Sequence, residues 1–167
     1  LEPVLGVVEH RKKDFVLVDI PGLIEGAHQG VGLGHDFLRH IERTKMILYV
    51  IDGSGPNPVE VFNNIKHEIT MFNQKILEKP YIVLINKTDL EEVSLLKEEI
   101  KDTFKKQEKN IYFVSAISGE GLSKVLDEAV TTLFSPEVTK GGAFVPLETA
   151  KKSPVIDKKL KENITVL

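Results

Sequence analysis

The chain of 167 residues contains no cysteine, which excludes a disulfide framework and any site that relies on a thiolate. No apolar run approaches the roughly 18 residues that a membrane-spanning helix needs, and no segment resembles a signal peptide. A net charge of −3 argues against a surface coated by nucleic acid, although it leaves room for local basic patches. We therefore expect a cytoplasmic protein.

The remaining composition is that of an ordinary folded domain, with 41% hydrophobic and 28% charged residues. Apolar runs typical of strands alternate with segments that have helical periodicity. The predicted strands are residues 3–10, 15–20, 46–52, 81–86 and 111–116. The predicted helices are residues 35–44, 59–78, 92–108 and 122–133. The first two strands flank the turn RKKD and predict a hairpin. The later strands are apolar on both faces, which predicts a doubly wound α/β fold with a mostly parallel sheet between helices.

In such sheets, ligands bind where the strands end. Three polar segments follow predicted strands: DIPG at 19–22, NKTD at 86–89 and SAI at 115–117. These three segments are therefore the candidate site.

The segment NKTD has the chemistry of a base reader. The carboxylate of Asp89 can accept two parallel N–H bonds from the N1–H and 2-amino group of guanine, an edge that adenine lacks. The stem of Lys87 can lie across a ring face, and the amide of Asn86 can tie neighbouring loops together. The alternative is a plain turn, because Asn and Asp are common turn residues after a strand.

The segments SAI and DIPG fit the same hypothesis of a guanine nucleotide site. The backbone N–H of Ala116 could donate to guanine O6; the alternative for this segment is a simple connection between strand and helix. Asp19 could hold a magnesium ion through its water shell, and the Gly22 amide could bond a terminal phosphate. A Pro–Gly turn is the alternative at Pro21, but it does not explain an acid at the end of an apolar strand.

These motifs resemble a known family. DxxG, NKxD and SA, in this order, resemble the translation-factor class of P-loop GTPases. The longer stretches LEPVLGVV and DIPGLIEGAHQGVGLGHDFLRHIERT are similar to Obg (CgtA-like) GTPases. The resemblance covers residues 1–134, read as part of a GTPase domain, and leaves residues 135–167 as a tail, either a strap or a disordered extension.

The resemblance implies a protein that binds GTP or GDP with Mg²⁺, hydrolyses GTP, and acts as a nucleotide switch in assembly of the large ribosomal subunit. Its partners would be a ribosomal particle or rRNA, and we expect a monomer. The glycine-rich loop after Asp19 would be the second switch segment, which rearranges with the nucleotide. The nucleotide-binding residues that it implies are Asp19, Ile20, Pro21, Gly22, Asn86, Lys87, Thr88, Asp89, Ser115, Ala116 and Ile117. Asp19 would reach the metal only through water.

The sequence also departs from the family pattern. No glycine in the chain is followed by lysine, so the GxxxxGK[ST] loop that binds phosphates is absent, as is the threonine of the first switch. The chain thus resembles the C-terminal part of an Obg protein cut within that switch, and we expect it to be inactive alone. Leu23 stands where many GTPases carry a water-orienting Gln, so no catalytic residue is assigned. The alternative function is a ribosome-docking module that does not hydrolyse GTP.

Overall fold

A computed structural model describes residues 4–19, 40–105 and 111–136 of the chain. The strands are β1 (Val4–His10), β2 (Lys13–Asp19), β3 (Ile47–Asp52), β4 (Tyr81–Asn86) and β5 (Ile111–Phe113). The helices are α1 (Pro58–Phe72), α2 (Glu91–Lys105) and α3 (Leu122–Leu133), with a 3₁₀ helix at Gln74–Glu78. Residues 40–43 form a further helical turn.

Strands β3, β4 and β5 form the predicted parallel sheet. Alternate β3 side chains point to opposite faces. Tyr49 packs in one apolar layer with Phe62 of α1 and Phe104 of α2. Leu48 packs in the other layer with Val125 of α3. Helices therefore cover both faces of the sheet, and the predicted doubly wound α/β arrangement is confirmed.

Strands β1 and β2 form the predicted antiparallel hairpin. Its turn is shorter than RKKD, because His10 already pairs with Lys13 and only two residues connect the strands. Both turn residues, Arg11 (φ 50°) and Lys12 (φ 60°), have positive φ, as a two-residue turn of type I′ requires. Asp127 of α3 holds this turn: its carboxylate lies 2.5 Å from His10 Nε2 and 2.6 Å from Arg11 Nε.

The hairpin shares the two apolar layers of the parallel sheet. Val18 packs against the layer that contains Tyr49, and Leu17 packs against the layer that contains Leu48. Among the described residues, no backbone ladder joins β2 to β3, and the hairpin meets the parallel sheet through the side-chain packing of these two layers.

The prediction of one continuous helix over residues 59–78 is wrong. Helix α1 ends at Phe72, and Asn73 is extended, with φ −156°. The Asn73 side chain accepts a hydrogen bond from the backbone N–H of Lys75 at 3.0 Å and begins the 3₁₀ helix. Asparagine competes with the helical backbone in this way, which is why it favours helix caps over helix interiors.

The predicted strand 111–116 is also too long, because β5 ends at Phe113. Ser115 N–H leaves the ladder and donates to the carbonyl of Glu120 at 3.0 Å. The strand therefore ends three residues earlier than the apolar pattern indicated.

Several sequence predictions fall outside the described residues. They concern Ile20 to Leu23, the glycine-rich loop, the start of the helix predicted at 35–44, and the tail beyond residue 136. These stay predictions. Among the helices that are described, none is long and apolar enough to cross a membrane.

Candidate functional site

The carboxyl ends of β3 and β4 lie side by side, since Asp52 is the register partner of Asn86. The N–H of Gly53 donates to the carbonyl of Asn86 at 3.0 Å. A Cβ at residue 53 would lie 2.6 Å from that carbonyl oxygen, closer than such atoms approach. Glycine is therefore required here, because the turn after β3 packs directly on the end of β4.

Asn86 joins the end of β4 to the loop after β5. Its side chain is buried, and its Oδ1 accepts a hydrogen bond from the N–H of Ala116 at 3.0 Å. The N–H of Thr88 donates to the carbonyl of Val114 at 3.1 Å in the same region. The predicted tie between loops through the Asn86 amide is confirmed.

Asp89 and Ser115 form a second link between these loops. The Ser115 hydroxyl donates to Oδ1 of Asp89 at 2.5 Å, and it accepts from the N–H of Ser118 at 3.1 Å. Ser115 is fully buried, whereas Asp89 is exposed at the edge of the sheet. A buried hydroxyl therefore orients a carboxylate that faces outward.

The loop after β5 is kept short by Gly121. This residue has φ 77° and precedes α3. A Cβ at this position would lie 2.4 Å from the carbonyl oxygen of Phe113. The loop can turn back to the sheet only because residue 121 has no side chain.

Lys87 lies beside an acid that the sequence analysis missed. Its Nζ is 2.5 Å from Oδ2 of Asp52, and the backbone N–H and hydroxyl of Ser54 bind Oδ1 of Asp52 at 2.9 and 2.6 Å. Partial burial raises the pKa of Asp52, but the hydrogen bonds from Lys87 and Ser54 outweigh this and lower that pKa overall. Asp52 could have been found by the signal that identified Asp19, an acid at the end of an apolar strand.

The remaining residues of these loops have mixed roles. Ala116 N–H already donates to Asn86, so a bond from it to guanine O6 would have to replace or share that contact. Ile117 is 70% exposed and offers an apolar surface at the mouth of the site. Oγ1 of Thr88 is buried and has no hydrogen-bond partner within the described part of the chain.

Asp19 ends β2 in a different environment. One of its carboxylate oxygens is buried and finds no hydrogen-bond partner among the described residues. Burial raises the pKa of Asp19, because the charged form is poorly solvated there. No hydrogen bond or ion pair among these residues joins Asp19 to the loops around Asn86.

The Asp19 carboxylate suits a magnesium ion that is held through its water shell. Residues 4–19, 40–105 and 111–136 contain no group of three or more His, Cys, Asp and Glu side chains that could hold a metal. Mg²⁺ does not need such a cage, since it keeps several waters and binds through one or two carboxylates together with phosphates. An orphaned carboxylate oxygen is a suitable partner for its water shell.

Comparisons of the sequence agree with this arrangement. A family model described as "50S ribosome-binding GTPase" matches residues 1–87. The chain is 49% identical over 138 residues to GTPase Obg of Caldanaerobacter subterraneus subsp. tengcongensis, covering 81% of this chain and 32% of that protein. It is 44% identical over 133 residues to GTPase Obg of Dehalococcoides mccartyi, covering 80% and 31%. The chain thus spans about a third of the length of these curated relatives.

Comparisons of the structure identify solved proteins that share the fold of this chain. The chain is similar to Era solved in complex with MgGDPNP and nucleotides 1506-1542 of 16S ribosomal RNA, with a TM-score of 0.60 over 87% of this chain and 47% of that chain. It is also similar to an Aquifex aeolicus Era variant bound to GDP.AlF4-, with a TM-score of 0.59 over 91% of this chain and 50% of that chain. Both are 24% identical to this chain, so they establish the fold alone.

Proposed function

This chain belongs to the family of 50S ribosome-binding GTPases, and on that premise we propose that the protein binds GTP and GDP at the edge of the sheet formed by β4 and β5. Asp89 reads the N1–H and 2-amino group of guanine, Lys87 lies against the ring, and residues 115–117 close over the base. The substrate is GTP, and the reaction is its hydrolysis to GDP and phosphate.

The paired links Asn86–Ala116 and Asp89–Ser115 are the observation that carries this proposal. They hold the two loops together and orient the exposed carboxylate of Asp89 through the hydroxyl of Ser115. A plain turn would need neither the buried Asn86 amide nor the fully buried Ser115 hydroxyl. A site built on placed acceptors discriminates strongly against a base that lacks the matching donors.

Asp19 supports the phosphate end of the proposed site. Its buried carboxylate oxygen, which has no partner among the described residues, would accept from water molecules that surround Mg²⁺. When bound, Mg²⁺ neutralises negative charge on the phosphates during transfer. The side chain of Leu23 cannot orient a water molecule by a hydrogen bond, so we expect slow intrinsic hydrolysis and assign no catalytic residue.

The second part of the proposal is that the protein has a ribosomal partner. It is supported by the family description and by relatives that are Obg GTPases. The protein would bind a ribosomal particle or rRNA in one nucleotide state and release it in the other, as a switch in assembly of the large subunit.

The proposal is tested by titrating GDP, GTP, ATP and xanthosine triphosphate against the protein while the amide NMR signals of residues 86–89 and 115–118 are followed. The chain alone lacks GxxxxGK[ST], so we expect its affinity to be weak, and any longer natural form that contains this chain is titrated alongside it. Guanine nucleotides should shift these signals, and ATP should not. Equal response to GTP and ATP would refute guanine recognition.

The alternative function, a docking module without turnover, is distinguished by a second measurement. Phosphate release from GTP is followed with and without ribosomal particles. Turnover by a form that contains the P-loop supports the GTPase. Guanine binding and particle binding without turnover in that same form would favour the docking module.

A further inference from the structure

Asp52 stands next to the proposed base site without belonging to any of its motifs. It ends β3, and its register partner is Asn86, the first residue of NKTD. The following residue, Gly53, is bonded to the carbonyl of Asn86 and has no room for a side chain. The position of the Asp52 carboxylate is therefore set by the same close contact that sets the end of β4.

Both oxygens of Asp52 have partners. Oδ1 accepts from the N–H and the hydroxyl of Ser54, and Oδ2 lies 2.5 Å from Nζ of Lys87. Ser54 thus fixes the carboxylate, and the carboxylate fixes the ammonium. The pair is partly exposed, with 32% of the Lys87 side chain and 49% of the Asp52 side chain accessible.

The backbone of Lys87 is held in an unusual conformation, with φ 70°. Positive φ is unfavourable for a residue with a side chain and persists only where the surroundings enforce it. Two backbone bonds do so here: Lys87 carbonyl accepts from Leu90 N–H at 3.0 Å, and the next N–H, from Thr88, donates to Val114. The start of the Lys87 side chain is thus fixed by its backbone and its end by Asp52.

We propose that Asp52 is a positioning residue for guanine recognition: it holds the ammonium of Lys87 so that the side-chain stem is in place for the base before a nucleotide binds. This inference rests on the proposed function and assigns a role that none of the three motifs contains. A long, flexible lysine loses side-chain freedom when it packs on a ligand, and holding it beforehand reduces that loss at the moment of binding. A partly exposed ion pair adds little to folding stability, which leaves positioning as its main effect.

The competing reading is that Asp52 draws Lys87 away from the base. The two readings predict opposite signs. If Asp52 positions Lys87, removing its charge weakens nucleotide binding. If Asp52 competes with the nucleotide for Lys87, removing its charge strengthens binding.

The test compares Asp52→Asn with Glu98→Gln, which breaks an exposed Lys101–Glu98 pair of 3.4 Å on α2. GDP affinity is measured in the form of the protein that binds guanine nucleotides most tightly. Asp52→Asn should weaken GDP binding roughly 2–5-fold, the range that a partly exposed ion pair can supply. Glu98→Gln should leave GDP affinity unchanged. Ser54→Ala, which removes one of two bonds to Asp52, should give a smaller loss in the same direction.

Two further readouts separate positioning from a general loss of stability. In the Lys87→Met background, Asp52→Asn should have no additional effect on GDP affinity, because there is no ammonium left to position. The NMR signal of the Lys87 ammonium should show faster hydrogen exchange in Asp52→Asn than in the wild type or in Glu98→Gln.

The outcomes separate the two proposals. A wild-type protein that does not distinguish GDP from ADP refutes the proposed function and the role of Asp52 with it. A wild type that prefers GDP, together with unchanged or tighter GDP binding by Asp52→Asn, overturns this inference alone. Additive losses in the double variant would also overturn it.

Discussion

Asp52 and Asp19 each end a strand, β3 and β2, yet the two strand ends differ in how their carboxylates are paired. Asp52 is bound by Lys87 and twice by Ser54. Asp19 keeps a buried oxygen that has no partner among the described residues. Accordingly, the pKa of Asp52 is lowered by its hydrogen bonds against the effect of burial, and the pKa of Asp19 is raised by burial.

The difference shows that the two ends of the proposed site are prepared to different degrees. Around Asp52, Asn86 and Asp89, the protein supplies hydrogen-bond and ion-pair partners from its own loops. At Asp19, a buried carboxylate oxygen has no partner among the described residues, and a buried polar group without a partner costs free energy. On the proposed function, contacts within the protein build the base end, and Mg²⁺ with its water would supply the partner at the phosphate end.

The largest expected effect follows from changing the base reader. Asp89→Asn places a donor opposite the 2-amino group of guanine, leaving polar groups unpaired at about 1–3 kcal/mol each. GTP affinity should fall at least ~100-fold, equivalent to about 2.7 kcal/mol, while affinity for xanthosine triphosphate rises. The measurement is a titration of both nucleotides in a form of the protein that binds GTP.

Asp19→Asn is the matched control for this change. It removes a carboxylate from the other end of the site, so it should weaken binding of the magnesium–nucleotide complex without changing the preference for guanine over xanthine. Unchanged GTP affinity in Asp89→Asn would remove Asp89 from the site and would favour the plain-turn reading of NKTD.

A smaller effect is expected from adding a methyl group at residue 53, where the turn after β3 packs on the end of β4. In Gly53→Ala the new methyl group would meet the Asn86 carbonyl at 2.6 Å, Val93 Cγ1 at 2.7 Å and Ile85 Cγ2 at 2.9 Å. Such overpacking costs typically about 1–3 kcal/mol, and urea unfolding should show a loss of this size. The control is Gly6→Ala in the hairpin, where a Cβ would have nothing within 4 Å. Equal stability of the two variants would show that the residues at the end of β4 can shift to accommodate the methyl group at little cost in free energy.

The smallest expected effect is on the pH dependence of folding stability, which should differ between Asp52 and Asp19. The stability that Asp52 contributes is present above its unfolded-state pKa and is lost as pH falls through its lowered folded-state pKa. Asp19 has a raised pKa, so its extra stability exists only while it is protonated and is lost as pH rises through that value. Near pH 7, Asp52→Asn should therefore destabilise the fold by roughly 0.2–1 kcal/mol, and Asp19→Asn should stabilise it.

Denaturant unfolding of both variants near pH 7 and near pH 3 checks these signs, with Asp14→Asn at an exposed position of β2 as the control for charge removal. The stabilising effect of Asp19→Asn should vanish at the lower pH. The same sign for both variants near pH 7 would contradict the contrast between the two strand ends.

Much of this molecule is determined locally by the sequence. Periodic apolar residues specify strands and helices because each periodicity buries one face or both, and the sheet, the hairpin and the helices on both faces follow from it. The motif NKTD and the acid that ends β2 predict the candidate site, because their chemistry can be read from a few neighbouring residues in the sequence. The end of α1 at Asn73 also has a local cause. The periodicity of apolar residues does not reveal it, because the Asn73 side chain acts by capping the 3₁₀ helix that follows.

Only the tertiary structure decides which partners these groups have. Asn86 and Ala116 lie 30 residues apart in sequence, and His10 and Asp127 lie 117 apart. The pairing of Lys87 with Asp52 depends on the register of β3 against β4, which places Asp52 beside Asn86. Hydrogen bonds and ion pairs form between groups within a few ångströms of each other, and that proximity is created by packing of the sheet rather than by nearness along the chain.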